Sequence, residues 1–87
     1  MENKTENTEN LKLLLNEKEV VLKKRNSYFR MIDEIVSITG YTKNEVHQLA
    51  KKECAKNTST TTFTSIDWTD YIESVKEYFY QTLDIVL

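Results

Sequence analysis

Apolar residues recur in steps of three and four from Leu11 through Leu14, Leu15, Val21, Leu22, Tyr28, Phe29, Ile32 and Ile35 to Val36, the stripe of an amphipathic helix. Lys18 and Arg25 stand where leucine would continue that stripe. Their aliphatic stems can lie along apolar surface while the charges reach water, so the pattern reads as one long helix or as a helix broken near Arg25-Asn26-Ser27. Gly40, free to take the left-handed conformation, closes it. A second stripe, Val46, Leu49, Ala50 and Cys54, predicts a helix from Lys43 to about Lys56. A third, Trp68, Tyr71, Ile72, Val75, Phe79, Leu83 and Val86, predicts a helix from Ser65 to about Ile85. Between them, residues 57–62 are turn-competent and β-branched and read as a connection.

Two segments share one grammar. Tyr41-Thr42-Lys43-Asn44-Glu45-Val46 and Phe63-Thr64-Ser65-Ile66-Asp67-Trp68 both run aromatic, Thr, two variable residues, acid, apolar. Each combines a capping box, in which Thr and the acid satisfy each other's backbone N–H, with a staple between the aromatic and the apolar residue. Residues 1–9 are rich in Glu, Asn and Thr, with nothing to offset the entropy of ordering, and read as a disordered polar tail. The chain is therefore expected to be all-α. Residues 10–87 form a small three-helix domain with a long first helix, a short second and a long C-terminal one.

Composition narrows the class. With no proline and a single glycine, strands and hairpins have little to build on. A lone domain of 87 residues buries only about 60% of its unfolded surface, so partners or self-association would matter to it. Cys54 is the single cysteine, which suits a reducing compartment; without a secretory leader or a membrane span, a cytoplasmic protein is expected. Charge is uneven: residues 10–57 carry ten Lys or Arg against six acids, and residues 58–87 carry Lys76 against five acids. The middle is basic and the last helix acidic.

Little catalytic chemistry is on offer. His47 is the single histidine, and Cys54 follows it two helical turns later, about 10 Å along the axis, too far for a shared metal or a Cys–His dyad. Asp33-Glu34 and Asp67/Asp70 are explained by solvation and capping. No glycine-rich phosphate loop or Ser–His–Asp arrangement occurs, so neither enzyme activity nor a cofactor is expected.

Binding surfaces are what the sequence does offer. Lys23, Lys24, Arg25 and Arg30, interleaved with Tyr28 and Phe29, combine phosphate-pairing cations with rings on which bases stack; Lys43, Lys51 and Lys52 extend the set. Lys51, Lys52 and Lys56 also complement the negative end of the second helix dipole, so the structural and ligand-binding roles stand side by side. A helix-turn-helix reading would send Lys43, Asn44, His47, Gln48 and Lys51 into a major groove, against which stand the long first helix and a pI near 5.4. On the last helix, Asp67, Asp70, Glu73 and Glu77 form an acidic face able to mimic phosphate to a basic partner. Either Tyr78 or Tyr80 should emerge beside Phe79, and the apolar finish Ile85-Val86-Leu87 should dock on the first helix or join a dimer contact.

The run from Ile38 to Lys52, including Gly40-Tyr41-Thr42, His47 and Lys51-Lys52, is followed by Ser59-Thr60-Thr61-Thr62 and then Tyr71-Ile72-Glu73. In order and spacing it resembles the carboxy-terminal helical part of NinB-type phage recombination proteins, over roughly residues 28–80. Arg25-Asn26-Ser27 stands where that family has a Gln-Asn pair, and the family's amino-terminal β portion and Gly-Ile-Pro-like finish have no counterpart. The resemblance implies a small phage protein that contacts single-stranded DNA or recombination and replication proteins. The expected contacts are Lys23, Lys24, Arg25, Arg30, Lys51 and Lys52. A second use implied by such an origin is inhibition of a host defence nuclease, in the manner of an anti-CRISPR protein, through Asp67, Asp70, Glu73 and Glu77. A homodimerising structural module is the third reading.

Overall fold

A computed structural model describes the backbone of residues 2–55 and 59–87, and side chains from Leu15 onward within those ranges. Three helices form in chain order: α1 (Glu2–Thr39), α2 (Lys43–Ala50) and α3 (Ser65–Leu83). A π turn, Lys51–Ala55, continues α2, and a 3-10 turn, Thr60–Thr62, precedes α3. Among the described residues there is no strand, and none of the helices is long and apolar enough to cross a membrane. Met1 and Lys56 fall outside what is described, as do the side chains of residues 2–14, which include most of the expected tail over residues 1–9 and the stripe positions Leu11 and Leu14.

Local sequence explains the boundaries. α1 runs unbroken through Arg25-Asn26-Ser27, which decides between the two readings of that segment. It stops at Gly40, whose φ of 78° is left-handed and whose N–H reaches Val36 O at 2.8 Å. Both capping boxes form. Glu45 N–H donates to Thr42 Oγ1 at 3.1 Å while Thr42 N–H donates to the Glu45 carboxylate at 3.3 Å. Thr64 and Asp67 exchange the same pair at 3.0 and 3.2 Å. The staple at Phe63 closes on Trp68, with ring centroids 5.3 Å apart, whereas Tyr41 stays half exposed and lines a shallow groove beside Val46.

The core lies where the second half of α1 meets α2 and α3. Tyr28, Met31, Ile32 and Ile35 pack on Val46, Ala50 and Ala55, and on Trp68, Tyr71, Val75 and Phe79. Burying each large side chain contributes roughly 1.5–3 kcal/mol, so this seam dominates the stability.

The end of α3 departs from the periodic expectation. Leu83 and Val86 were expected on the buried face but are 41% and 77% exposed, and Ile85 is buried instead. The reason is Asp84, which caps the helix in the left-handed region at φ 57°, so that Ile85 N–H reaches back to Phe79 O at 3.3 Å. That reversal swings Ile85 into the core and leaves Leu87 beside Arg30, Met31 and Glu34 of α1. Tyr80 emerges at 52% exposure, and Tyr78 is half-buried.

Candidate nucleic-acid or partner interface

Phe29 sits one residue after the buried Tyr28, so its ring lies at the edge of the α1 stripe and is half-buried. Two cations approach that ring: Arg25, one turn earlier on α1, with its Cζ 5.2 Å from the centroid, and Lys43, from the first turn of α2, with Nζ at 5.4 Å. The imidazole of His47 tilts against it at a centroid distance of 5.3 Å. Lys51 follows His47 by one helical turn. Burial, and then the charges of Lys51, Arg25 and Lys43, hold the His47 pKa below its ordinary value. A half-buried ring thus carries two cations and a neutral imidazole around it, with Lys51 acting on the imidazole. Among the described residues the one ion pair is Lys43 with Asp33, at 3.2 Å and well exposed.

Beneath this cluster runs a polar chain inside the core. The Tyr28 hydroxyl is 2.8 Å from His47 Nδ1 and 2.8 Å from the Tyr71 hydroxyl. Tyr28 has one hydroxyl proton, so it donates to one neighbour and accepts from the other. Burial raises the pKa of both tyrosines, Tyr71 to about 12, which keeps them as neutral hydrogen-bonding groups. The Cys54 thiol is likewise pushed up, by burial and by Glu53, away from thiolate chemistry. Trp68 Nε1 is buried with no partner among the described residues. No group of three or more His, Cys, Asp or Glu side chains converges there to hold a metal ion.

The six cations singled out from the sequence do not share one surface. Arg25 and Lys51 come together at Phe29 and His47, joined by Lys43. Lys23 lies two residues before Arg25, about 200° around the helix, and so points elsewhere; Lys24 is half-buried. Arg30 lines a cleft on the α3 side with Glu34, Lys76 and Leu87. Lys52 lines the groove of Tyr41, Gln48 and Leu49 on the outer face of α2. The helix-turn-helix set loses His47, whose ring is turned into Tyr28 and Phe29.

The acidic set holds together better as a stripe. Asp67, Asp70, Glu73 and Glu77 are all exposed; Asp70, Glu73 and Glu77 run along the side of α3 opposite Trp68, Tyr71, Val75 and Phe79, and Asp67 stands one turn before Tyr71 at the flank of that buried face. Asp67 has a structural duty in its capping box, and Asp70 lines a cleft with Cys54, Phe63 and Tyr71. Glu73 and Glu77 border a cleft with Lys76 and Tyr80.

Sequence reasoning missed two connections. The His47–Tyr28–Tyr71 chain was signalled only by polar-tipped residues at core positions, which are costly to bury without partners. The other is Glu17, whose carboxylate accepts from Ser65 N–H at 2.8 Å and from Ser65 Oγ at 3.1 Å, tying the middle of α1 to the first turn of α3.

Fold and site together define a small three-helix protein with a basic, aromatic-centred patch on one flank and an acidic stripe on another. No protein-family model, curated protein or solved structure matches this chain.

Proposed function

We propose that this is a non-catalytic phage-type binding protein that contacts single-stranded DNA, or the proteins that process it, during recombination or replication. The observation that carries the reading is the convergence of Arg25, Lys43 and Lys51 around Phe29 and His47. Cations gathered on one flank pair with the phosphates of a strand, and an edge-exposed ring with guanidinium beside it offers a surface for an unstacked base. Binding of a labelled oligothymidylate, measured against salt, tests it. Three phosphate contacts on a single strand give a slope of about −2 in log K against log salt. Charge reversal at Arg25 or Lys51 should flatten that slope and weaken binding; absence of binding at low salt would sink the reading.

A second reading is favoured by the exposed carboxylate stripe of α3, which forms no ion pair among the described residues. Here the protein inhibits a host nucleic-acid-dependent enzyme by presenting those carboxylates to a basic groove. Glu73 and Glu77 are the clean positions to test, because reversing Asp67 would also break the α3 cap. Capture from phage-infected host lysate that survives nuclease treatment and is lost in Glu73→Lys/Glu77→Lys supports this reading over the first.

A further inference from the structure

We propose that the groove between the middle of α1 and the 3-10 turn docks an acidic peptide segment carrying an apolar anchor, on a surface that shares only Arg25 with the Phe29 cluster. The groove is open to solvent and offers about 510 Å³, a size in the range of about 300–1,000 Å³ usual for binding pockets. Its floor is Val21, Leu22 and Phe63, and Leu22 is 54% exposed, a large aliphatic side chain facing water in the middle of a helix. Phe63 is packed edge-on against Trp68 and Tyr71, at 5.3 and 5.4 Å, so the floor is braced from below.

Charge decides the occupant. Lys18 and Arg25 stand on the rim, and Glu17 is the one acid lining the groove among the described residues. Ser65 N–H and Oγ hold the Glu17 carboxylate toward the start of α3, and with two cations against this one acid the lining keeps a net positive charge. Lys18 and Arg25 are seven residues apart on one helix face, about 10 Å along the axis. In an extended peptide alternate side chains share a face, and residues four apart span about 13 Å, a distance the long stems of Lys18 and Arg25 can meet. The complementary ligand therefore has two carboxylates four positions apart, with a Phe, Leu or Met side chain midway between them on the same face, lying on Leu22 and Phe63. This is the arrangement of an aromatic or aliphatic anchor in a pocket with a charged rim.

The test is an array of fluorescein-labelled octapeptides, varied in charge and anchor, read by polarisation against the full chain and repeated with the best binder in solution. The expected result is enrichment of acid–apolar–acid sequences. Leu22→Asp and Lys18→Glu should each weaken that binder at least tenfold, and Lys51→Glu should leave it unchanged. Leu22 is exposed, so Leu22→Asp should keep the helical circular dichroism of the parent, and Lys18→Glu serves as the independent variant. Enrichment of basic or uncharged peptides, binding that survives Leu22→Asp, or no saturable binding at low salt would each overturn the proposal. Failure here is distinguishable from failure of DNA binding, because Lys51→Glu affects only the oligonucleotide and Leu22→Asp only the peptide.

Discussion

The hydroxyl of Tyr28 lies 2.8 Å from Nδ1 of His47, nineteen residues further along the chain, and this contact joins the buried seam of α1 to the charged face of α2. Its second partner, the Tyr71 hydroxyl, extends the link to α3, so one side chain coordinates all three helices. Replacing Tyr28 by Phe leaves His47 Nδ1 and the Tyr71 hydroxyl each short of a partner. The expected cost is about 1–3 kcal/mol, against about 0.5–1.5 kcal/mol for Tyr71→Phe, where Tyr28 keeps His47. Urea unfolding of the two variants checks the order; equal losses would mean that the chain is not centred on Tyr28.

His47 makes stability depend on pH in a defined direction. Its folded pKa is below the ordinary value of 6.5, chiefly through burial and then through Lys51, Arg25 and Lys43. The unfolded chain therefore binds the proton first as pH falls. The stabilisation from neutral His47 is complete above pH 6.5 and drains away as pH falls from there through the lower folded value. Denaturant midpoints between pH 7.5 and 5 should fall accordingly, and His47→Gln should flatten that part of the profile.

The same cations link His47 to ligand binding. A bound polyanion would neutralise part of the field from Lys51, Arg25 and Lys43 and should raise the His47 pKa. Titration of the His47 ring proton by NMR, with and without oligothymidylate, measures it. An unchanged titration in the presence of bound oligonucleotide would place the strand elsewhere on the surface.

Glu17 fastens the long helix to the start of α3 through Ser65. A carboxylate at a helix N-terminus is worth about 0.3–1 kcal/mol when exposed, and Glu17→Ala should lose about that amount. A double-mutant cycle with Ser65→Ala isolates the contact; additive losses would show that the two residues do not couple.

Two left-handed residues end the long helices, and they should respond oppositely to substitution. Gly40, at φ 78°, has open space where a Cβ would stand, so Gly40→Ala suffers from backbone conformation alone, at about 1–2 kcal/mol. Asp84, at φ 57°, already bears that strain, and Asp84→Gly should relieve part of it, with a gain of up to about 1 kcal/mol. Thermal midpoints moving down for the first and up for the second are the expected signature.

What the sequence determined by itself is local. Thr42 with Glu45, and Thr64 with Asp67, set both helix starts because each box closes within four residues, and Gly40 set the end of α1 because no other residue type fits that φ without strain. The apolar periods of α1 from Tyr28 onward, α2 and most of α3 named most of the core, whereas Leu15 and Leu22 of the expected α1 stripe lie exposed beyond the reach of α2, and Met31 and Ala55 are buried outside the expected stripes. The tertiary structure decided what depends on angles between helices. Arg25 and Lys43 meet at one ring, with Lys51 acting on the adjoining His47, while Lys23, Arg30 and Lys52 are turned away, because each lies about 100° or more around its helix from the nearest member of the patch and only α2 packing on α1 completes it. Ile85 rather than Leu83 or Val86 fills the core, because a left-handed turn at Asp84 overrides the helical period. The bond from Tyr28 to His47 belongs to the same class: a buried polar tip is costly to leave unpaired, and which partner it finds is fixed only when the helices close.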